Sequence, residues 1–370
     1  MDGRLLGIWY GEGGGWLRPL ASVFGMTSAF RRALYRGGWL RSWRAPVPVV
    51  VVGNLTVGGT GKTPLVLWLV SALRARGWRV GIVSRGHGGS RRDAHLVDAS
   101  ADAAQSGDEA VLMARRGAGP VAVGRSRRSA VALLAGAVDV VLCDDGLQHY
   151  ALARDVEIAV IDGLRGLGNG RLLPAGPLRE GAWRLDTVDA VVVNGPGFER
   201  AGALRMRLEA GEAVALADGR RRPLAAFRVA PVRAVAAIGH PRRFFELLRA
   251  AGLEVHGQAL PDHADWQRTG LGDDTGTLLM TEKDAVKSRG PVAADAWYVP
   301  VEAALDPAAG EALLARIDAA LARRGPQSPG LPAQGAVSPR SCTPGTLRGS
   351  FLTLRYAGRL RGDACSVDRL

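Results

Sequence analysis

The sequence predicts an α/β fold: a P-loop parallel sheet with helices on both faces, a second smaller α/β domain, and an N-terminal membrane-surface helix. Three observations carry that expectation. The apolar run "VPVVVV" at 47–52 leads straight into the glycine-rich "GNLTVGGTGKTP". Apolar runs without polar alternation, the mark of parallel strands covered on both faces, then recur between helical stretches as far as about residue 195. The same alternation resumes after residue 229 with "VRAVAAIGHP".

Residues 1–46 form an amphipathic segment. Leu20, Val23, Phe24, Thr27, Phe30 and Leu34 recur at helical spacing, and Pro19 is tolerated in a first turn. The uncharged run from Pro19 to Phe30 is far short of the roughly 20 residues that span a bilayer. Trp16, Trp39 and Trp43 lie among Arg18, Arg31, Arg32, Arg36, Arg41 and Arg44, as in a helix lying in the headgroup layer. Packing on its own domain is the other reading of that stripe.

Residues 47–198 form the P-loop domain, with strands expected at 47–52, 80–83, 120–123, 138–143, 156–161 and 190–193. Helices are expected at 64–76, 108–116 and 126–134. Residues 199–228, less apolar and carrying "ADGRRRP", read as a linker or β-hairpin. Residues 229–324 form the smaller α/β domain, closed by a helix at about 306–323. From 325 to 370 the chain is rich in Pro, Gly and Ser, a composition that cannot bury a core, so a disordered tail is expected.

A chain of 370 residues can hold two domains with cores of their own. Cys143, Cys342 and Cys365 are too widely spaced for a zinc pattern or a disulfide framework. With no signal-peptide pattern, the reducing cytosol is the expected compartment. The net charge of +13 is concentrated at the ends: residues 1–48 hold seven Arg against Asp2 and Glu12, and 325–370 hold six Arg against Asp363 and Asp368. Arg interleaved with an apolar stripe suits lipid headgroups better than a nucleic-acid backbone, so no nucleic-acid partner is expected. Lys62, Lys283 and Lys287 are the only lysines, which makes a lysine in the phosphate loop informative.

That loop, Thr56-Val57-Gly58-Gly59-Thr60-Gly61-Lys62-Thr63, departs from GxxxxGK[ST] by having Thr56 in place of the first glycine. The physical requirement is still met. Glycines let backbone N–H groups close around phosphate oxygens, Lys62 reaches the β- and γ-phosphates, and the Thr63 hydroxyl can bind Mg²⁺. The helix opening at Pro64 adds its positive end. A strand ending in acid, "VDVVLCDDGLQH", places Asp144 and Asp145 at the carboxyl edge of the sheet, where a P-loop protein holds Mg²⁺. A turn or cap is the plainer role for such aspartates. Weaker alone are Asp108 and Glu109 in "SGDEAVLM", where capping is the default, His263 in "LPDHADW", and Arg179 with Glu180 in "LPAGPLRE".

Taken in order, "APVPVVVVGNLTVGGTGKTP", "VGIVSRGHGG", "GDEAVL", "DDGLQHYALARDVEIAVIDG", "GNGRLLPAGPLRE", "VDAVVVNG", "IGHPRRFF" and "MTEKDAVK" closely resemble the bacterial tetraacyldisaccharide 4′-kinases, or lipid A 4′-kinases, over roughly residues 5–322. The resemblance implies an enzyme on the cytoplasmic face of the inner membrane. It would use ATP and Mg²⁺ to phosphorylate the 4′-hydroxyl of tetraacyldisaccharide 1-phosphate. It further implies two α/β/α domains with a small β linker and a helix lying on the membrane. Asp108 then falls on the catalytic carboxylate and His263 on its partner histidine, with Lys62 at the phosphates. Thr63, Asp144, Asp145, Glu109 and Glu180 fall on the metal side, and Arg85, Arg127, Gln148, His149 and Arg179 on the substrate side. Since Asp108 and His263 lie in different expected domains, domain closure is expected to bring them together.

His87 stands where the family usually has Tyr, and the tail beyond about 324 has no counterpart in it. The competing reading is a switch-type P-loop ATPase of the partitioning or metallochaperone kind. Those proteins often carry a signature lysine before the two glycines, where this chain has Val57. A third reading is a non-enzymatic binder driven by the basic ends.

Overall fold

The computed structural model describes residues 3–11, 14–261, 276–288 and 295–324. Two helices, α1 (Gly3–Tyr10) and α2 (Arg18–Arg36), precede the first sheet. The helices dock through a limited set of contacts, among them Arg32 over the Trp183 ring and Tyr35 against Tyr150. Trp9 is buried and its indole N–H donates to the Pro174 carbonyl, while Leu17 and Ala21 pack on Ala175. Most of the apolar stripe on α2 points the other way: Leu20, Val23, Met26 and Phe30 are all more than half exposed. No helix among the described residues is long and apolar enough to cross a membrane.

The large sheet grows from β1 (Val49–Gly53), α3 (Lys62–Ala75), β2 (Val80–Ser84), β3 (His95–Val97), α4 (Ala103–Ser106), α5 (Asp108–Arg115), β4 (Val121–Val123), α6 (Arg127–Leu134), β5 (Val140–Asp144), β6 (Val156–Asp162), β7 (Ala190–Asn194) and β8 (Leu204–Ala210). The small sheet follows with β9 (Ala213–Ala215), β10 (Arg221–Arg222), β11 (Val232–Ala236), α7 (Pro241–Ala250), β12 (Val255–Ala259), β13 (Leu278–Thr281), α8 (Glu282–Lys287) and β14 (Ala296–Val299). The chain then returns as β15 (Val301–Leu305) and α9 (Pro307–Ala322).

Strand order in the large sheet is β15-β8-β7-β6-β1-β5-β2-β4-β3, parallel from β8 to β4 with an antiparallel strand at each edge. β1 is buried along its whole length between β5 and β6, which is why it carries four valines and no polar alternation. Val50 and Val52 pack into the core that holds Leu65, Leu69 and Leu73 of α3. Val49 and Val51 face Ala130, Val131 and Leu134 of α6. The small sheet runs β10-β9-β14-β13-β11-β12.

The two sheets divide the chain differently from the boundaries expected at 199–228 and 229–324. β8 is a strand of the large sheet, and β9 and β10 belong to the small one, so residues 199–228 are not a separate linker. β15 pairs with β8, and α9 buries Leu313, Leu314, Ile317 and Leu321 in the core beneath α3. The closing helix therefore completes the large sheet. The physical reason is β8: its outer edge is open, and only the returning strand covers it.

Candidate active site

The phosphate loop links β1 to α3. Gly58 and Gly61 have φ of 113° and 92°, backbone that glycine adopts without strain. A Cβ on Gly61 would also meet the Asn194 side-chain amide at 2.3 Å. Two asparagines pin the loop. Asn54 Nδ2 donates to the carbonyls of Thr56 and Gly58 at 2.7 and 3.2 Å, and Asn194 Nδ2, from the end of β7, donates to the Thr60 carbonyl at 3.0 Å. Asn194 is held in turn by Arg243 of α7, whose Nη2 donates to its Oδ1 at 2.7 Å. The small-sheet lobe thus props the loop from outside.

Thr56 is buried in a bridge to Leu178, and the Val57 N–H donates to the Pro177 carbonyl at 2.9 Å. These two positions, expected among the nucleotide contacts, tie the loop's base to the segment before Arg179. Lys62 opens α3 with its Nζ 3.5 Å from Asp145 Oδ1.

Asp144 ends β5 fully buried, and neither of its carboxylate oxygens has a hydrogen-bond partner. Burial, reinforced by the nearby charge of Glu109, pushes its carboxyl up to about 7. Asp145 is the opposite case. Burial raises it, but Lys62 and Arg179 outweigh that and bring it down to about 2. Arg179 Nη1 donates to both Asp145 oxygens at 3.1 and 3.0 Å. Asp145 has φ of 50°, the one left-handed non-glycine among the described residues. Such backbone strain concentrates at functional sites.

α5 brings Asp108 and Glu109 to the same region, with Glu109 feeling the charges of Lys62 and Asp145. The Glu109 N–H donates to Asp108 Oδ1 at 3.0 Å, whereas Asp108 Oδ2 is buried without a hydrogen bond. Facing them from the small-sheet lobe are two lysines of α8. Lys283 Nζ donates to Glu109 Oε1 at 3.0 Å, and Lys287 Nζ lies 3.5 Å from Asp108 Oδ2. His263 lies outside the described residues.

Three of the expected site residues are engaged in internal hydrogen bonds. Arg127, expected to face substrate, is buried, and its guanidinium donates to the carbonyls of Gly124 and Asp144 at 3.3 and 2.9 Å. It positions the end of β5. Glu180, expected at the metal, is buried and accepts from the Tyr150 hydroxyl and from Gln148 Nε2, with Arg184 Nε 3.6 Å away. Gln148 also donates to the Asn54 carbonyl at 3.2 Å, so its amide nitrogen joins this network to the loop.

His149 is half-buried, and burial together with Arg127, Arg154, Arg31 and Arg85 lowers it to about 4, so it is neutral near pH 7. Arg85 follows β2 and is exposed. Among the described residues no group of three or more His, Cys, Asp or Glu is arranged to hold a metal by itself. Sequence reasoning passed over Asn54, Asn194 and Arg243 and left Lys283 and Lys287 without a role. Only the rarity of lysine in the chain marked the last two.

A parallel sheet with a glycine-rich loop entering α3 and a buried carboxylate ending the neighbouring strand defines a P-loop nucleotide-binding protein. The comparisons with known proteins narrow this. The family model for tetraacyldisaccharide-1-P 4′-kinase matches residues 15–318. Tetraacyldisaccharide 4′-kinases of Pseudomonas aeruginosa strains LESB58 and UCBPP-PA14 are each 47% identical over 328 residues, 86% of this chain and 98% of theirs. The "apo" form of LpxK from Aquifex aeolicus, solved in complex with ATP, superposes with a TM-score of 0.71 at 28% identity, covering 83% of this chain and 99% of that one. The chain belongs to the tetraacyldisaccharide-1-P 4′-kinase family.

Proposed function

We propose that the protein transfers the γ-phosphate of ATP to the 4′-hydroxyl of tetraacyldisaccharide 1-phosphate, a step of lipid A biosynthesis. The named activity of relatives at 47% identity supports the reaction, and the ATP complex of the Aquifex aeolicus protein supports the donor. The observation that carries the mechanism is Asp108 Oδ2: a buried carboxylate oxygen with no hydrogen bond, next to a residue that senses Lys62.

Phosphoryl transfer needs positioning, charge neutralisation and a proton acceptor. Gly58 to Thr63 hold the phosphates, and Lys62 neutralises them. On binding ATP, Lys62 exchanges its long contact with Asp145 for phosphate oxygens, and Arg179 remains to balance Asp145. Asp108 accepts the 4′-hydroxyl proton, with His263 as the partner that shares it. Mg²⁺ fits the donor set, since the two unpartnered oxygens of Asp144 and the Thr63 hydroxyl are hard oxygen ligands. Asp145 and Glu109 stand beside them. When bound, the ion would neutralise phosphate charge.

The exposed apolar stripe of α2, flanked by arginines, is the surface by which the enzyme rests on the cytoplasmic face of the inner membrane. A lipid acceptor explains such a helix. Asp108→Ala tests the assignment. Lipid phosphorylation should fall by about 10²–10⁴-fold with the KM for ATP little changed. A collapse of ATP affinity would make Asp108 a structural cap or metal ligand.

A further inference from the structure

We propose that Lys287 is a positioning residue for phosphoryl transfer: it fastens the Asp108 carboxylate, on the large-sheet lobe, to the rigid floor of the small-sheet lobe. This rests on the reading of Asp108 as the proton acceptor.

The floor is well defined. Thr281 caps α8 by accepting from the Asp284 N–H at 3.2 Å, and its own hydroxyl donates to Asp284 Oδ2 at 2.6 Å. The Ala237 N–H, just past β11, donates to the same oxygen at 2.9 Å. Asp284 is fully buried and therefore fixed by β11 and β13 together. Lys287 stands on this base. Its Nζ donates to the Ala237 carbonyl at 3.1 Å and to Asp284 Oδ1 at 3.4 Å. Its Nζ also lies 3.5 Å from Asp108 Oδ2, with the side chain only 11% exposed.

Lys283, one helical turn earlier on the same face, is more exposed: its Nζ is 3.0 Å from Glu109 Oε1 and 3.7 Å from Asp108 Oδ2. At the far end of α5, Arg116 donates to Glu282 at 2.6 and 2.8 Å. The helix carrying Asp108 is thus gripped by α8 at both ends, and Lys287 is the grip nearest the reacting carboxylate.

The residue type supports the assignment. All but three of the 48 basic residues are Arg, and the exceptions are the phosphate-loop Lys62 and the two lysines of α8. A compact ammonium serves three acceptors at once without the planar fork of Arg. Held this way, the Asp108 oxygen left without a hydrogen bond is aimed by the small lobe, and reactions are sensitive to misplacement of that kind.

The experiment measures kcat and both KM values on the full-length enzyme for Lys287→Met, Lys287→Gln, Lys287→Arg and Asp108→Asn, with melting curves for each. Lys287→Met should lower kcat about 100-fold with the KM for ATP changed less than about threefold. Lys287→Gln keeps amide donors for Ala237 and Asp284, which protects the fold if the Met variant does not assemble, and should lose kcat similarly. Lys287→Arg should recover at least about tenfold of that loss. Unchanged kcat in Lys287→Gln, or a loss in every Lys287 variant that tracks lowered melting temperature without recovery by Arg, would overturn the proposal. Asp108→Asn separates the two claims: full activity there removes the reading of Asp108 itself, whereas an inactive Asp108→Asn beside an active Lys287→Gln removes only this inference.

Discussion

The two adjacent aspartates at the end of β5 show how far environment can separate identical side chains. Asp145 is held ionised by Lys62 and Arg179, while Asp144, buried with unpartnered oxygens, is raised to about 7. Its folded value lies above its ordinary one near 3.8, so the folded state binds more protons between those two values. Stability should therefore fall as pH rises from about 4 through 7, with the full cost present above. Asp144→Asn should stabilise the ligand-free protein by about 1–3 kcal/mol at pH 8 and by much less at pH 5, measured by urea unfolding. An equal change at both pH values would contradict that account. Residue chemistry was only partly legible in the sequence. Type and spacing marked Lys62 and Asp144 as candidates, and Asp108 stood out only through the family resemblance; Arg127 and Glu180 carry similar chemistry but are turned inward. What decides between the two fates is burial against Gly124, Asp144 and Tyr150, which no local pattern encodes.

At the scale of elements, apolar runs reveal strands buried on both faces, and β1, β2, β4, β5, β6 and β7 fall within two residues of their expected positions. β8 was harder, because Arg205, Arg207 and Glu209 alternate with half-buried positions and give it the look of a solvent-facing hairpin. α2 is the reverse case. Its periodicity was evident, but not which way the stripe faces, and the structure turns it outward. If that face meets lipid, Leu20→Asp with Phe30→Asp should weaken binding to anionic vesicles by about 100-fold or more, since each buried apolar side chain contributes about 1.5–3 kcal/mol. Vesicle sedimentation checks this, and undiminished binding would send the membrane contact elsewhere.

For the molecule as a whole, the return of β15 and α9 to the large sheet couples the two lobes through chain connectivity. That return was not legible. "VEAAL" and the apolar positions of α9 would suit either sheet, and only the open edge of β8 selects one. Leu313, Leu314, Ile317 and Leu321 together contribute about 6–12 kcal/mol as an upper estimate, comparable to the stability of a whole domain. A chain ending at Asp306 should not fold, and a cooperative thermal melt by circular dichroism would show otherwise. The central claim, however, concerns where the phosphate goes. Incubation with γ-labelled ATP and tetraacyldisaccharide 1-phosphate should place the label on the lipid, in a product carrying one further phosphate at the 4′ position. Label released as inorganic phosphate at the same rate with or without lipid would contradict it.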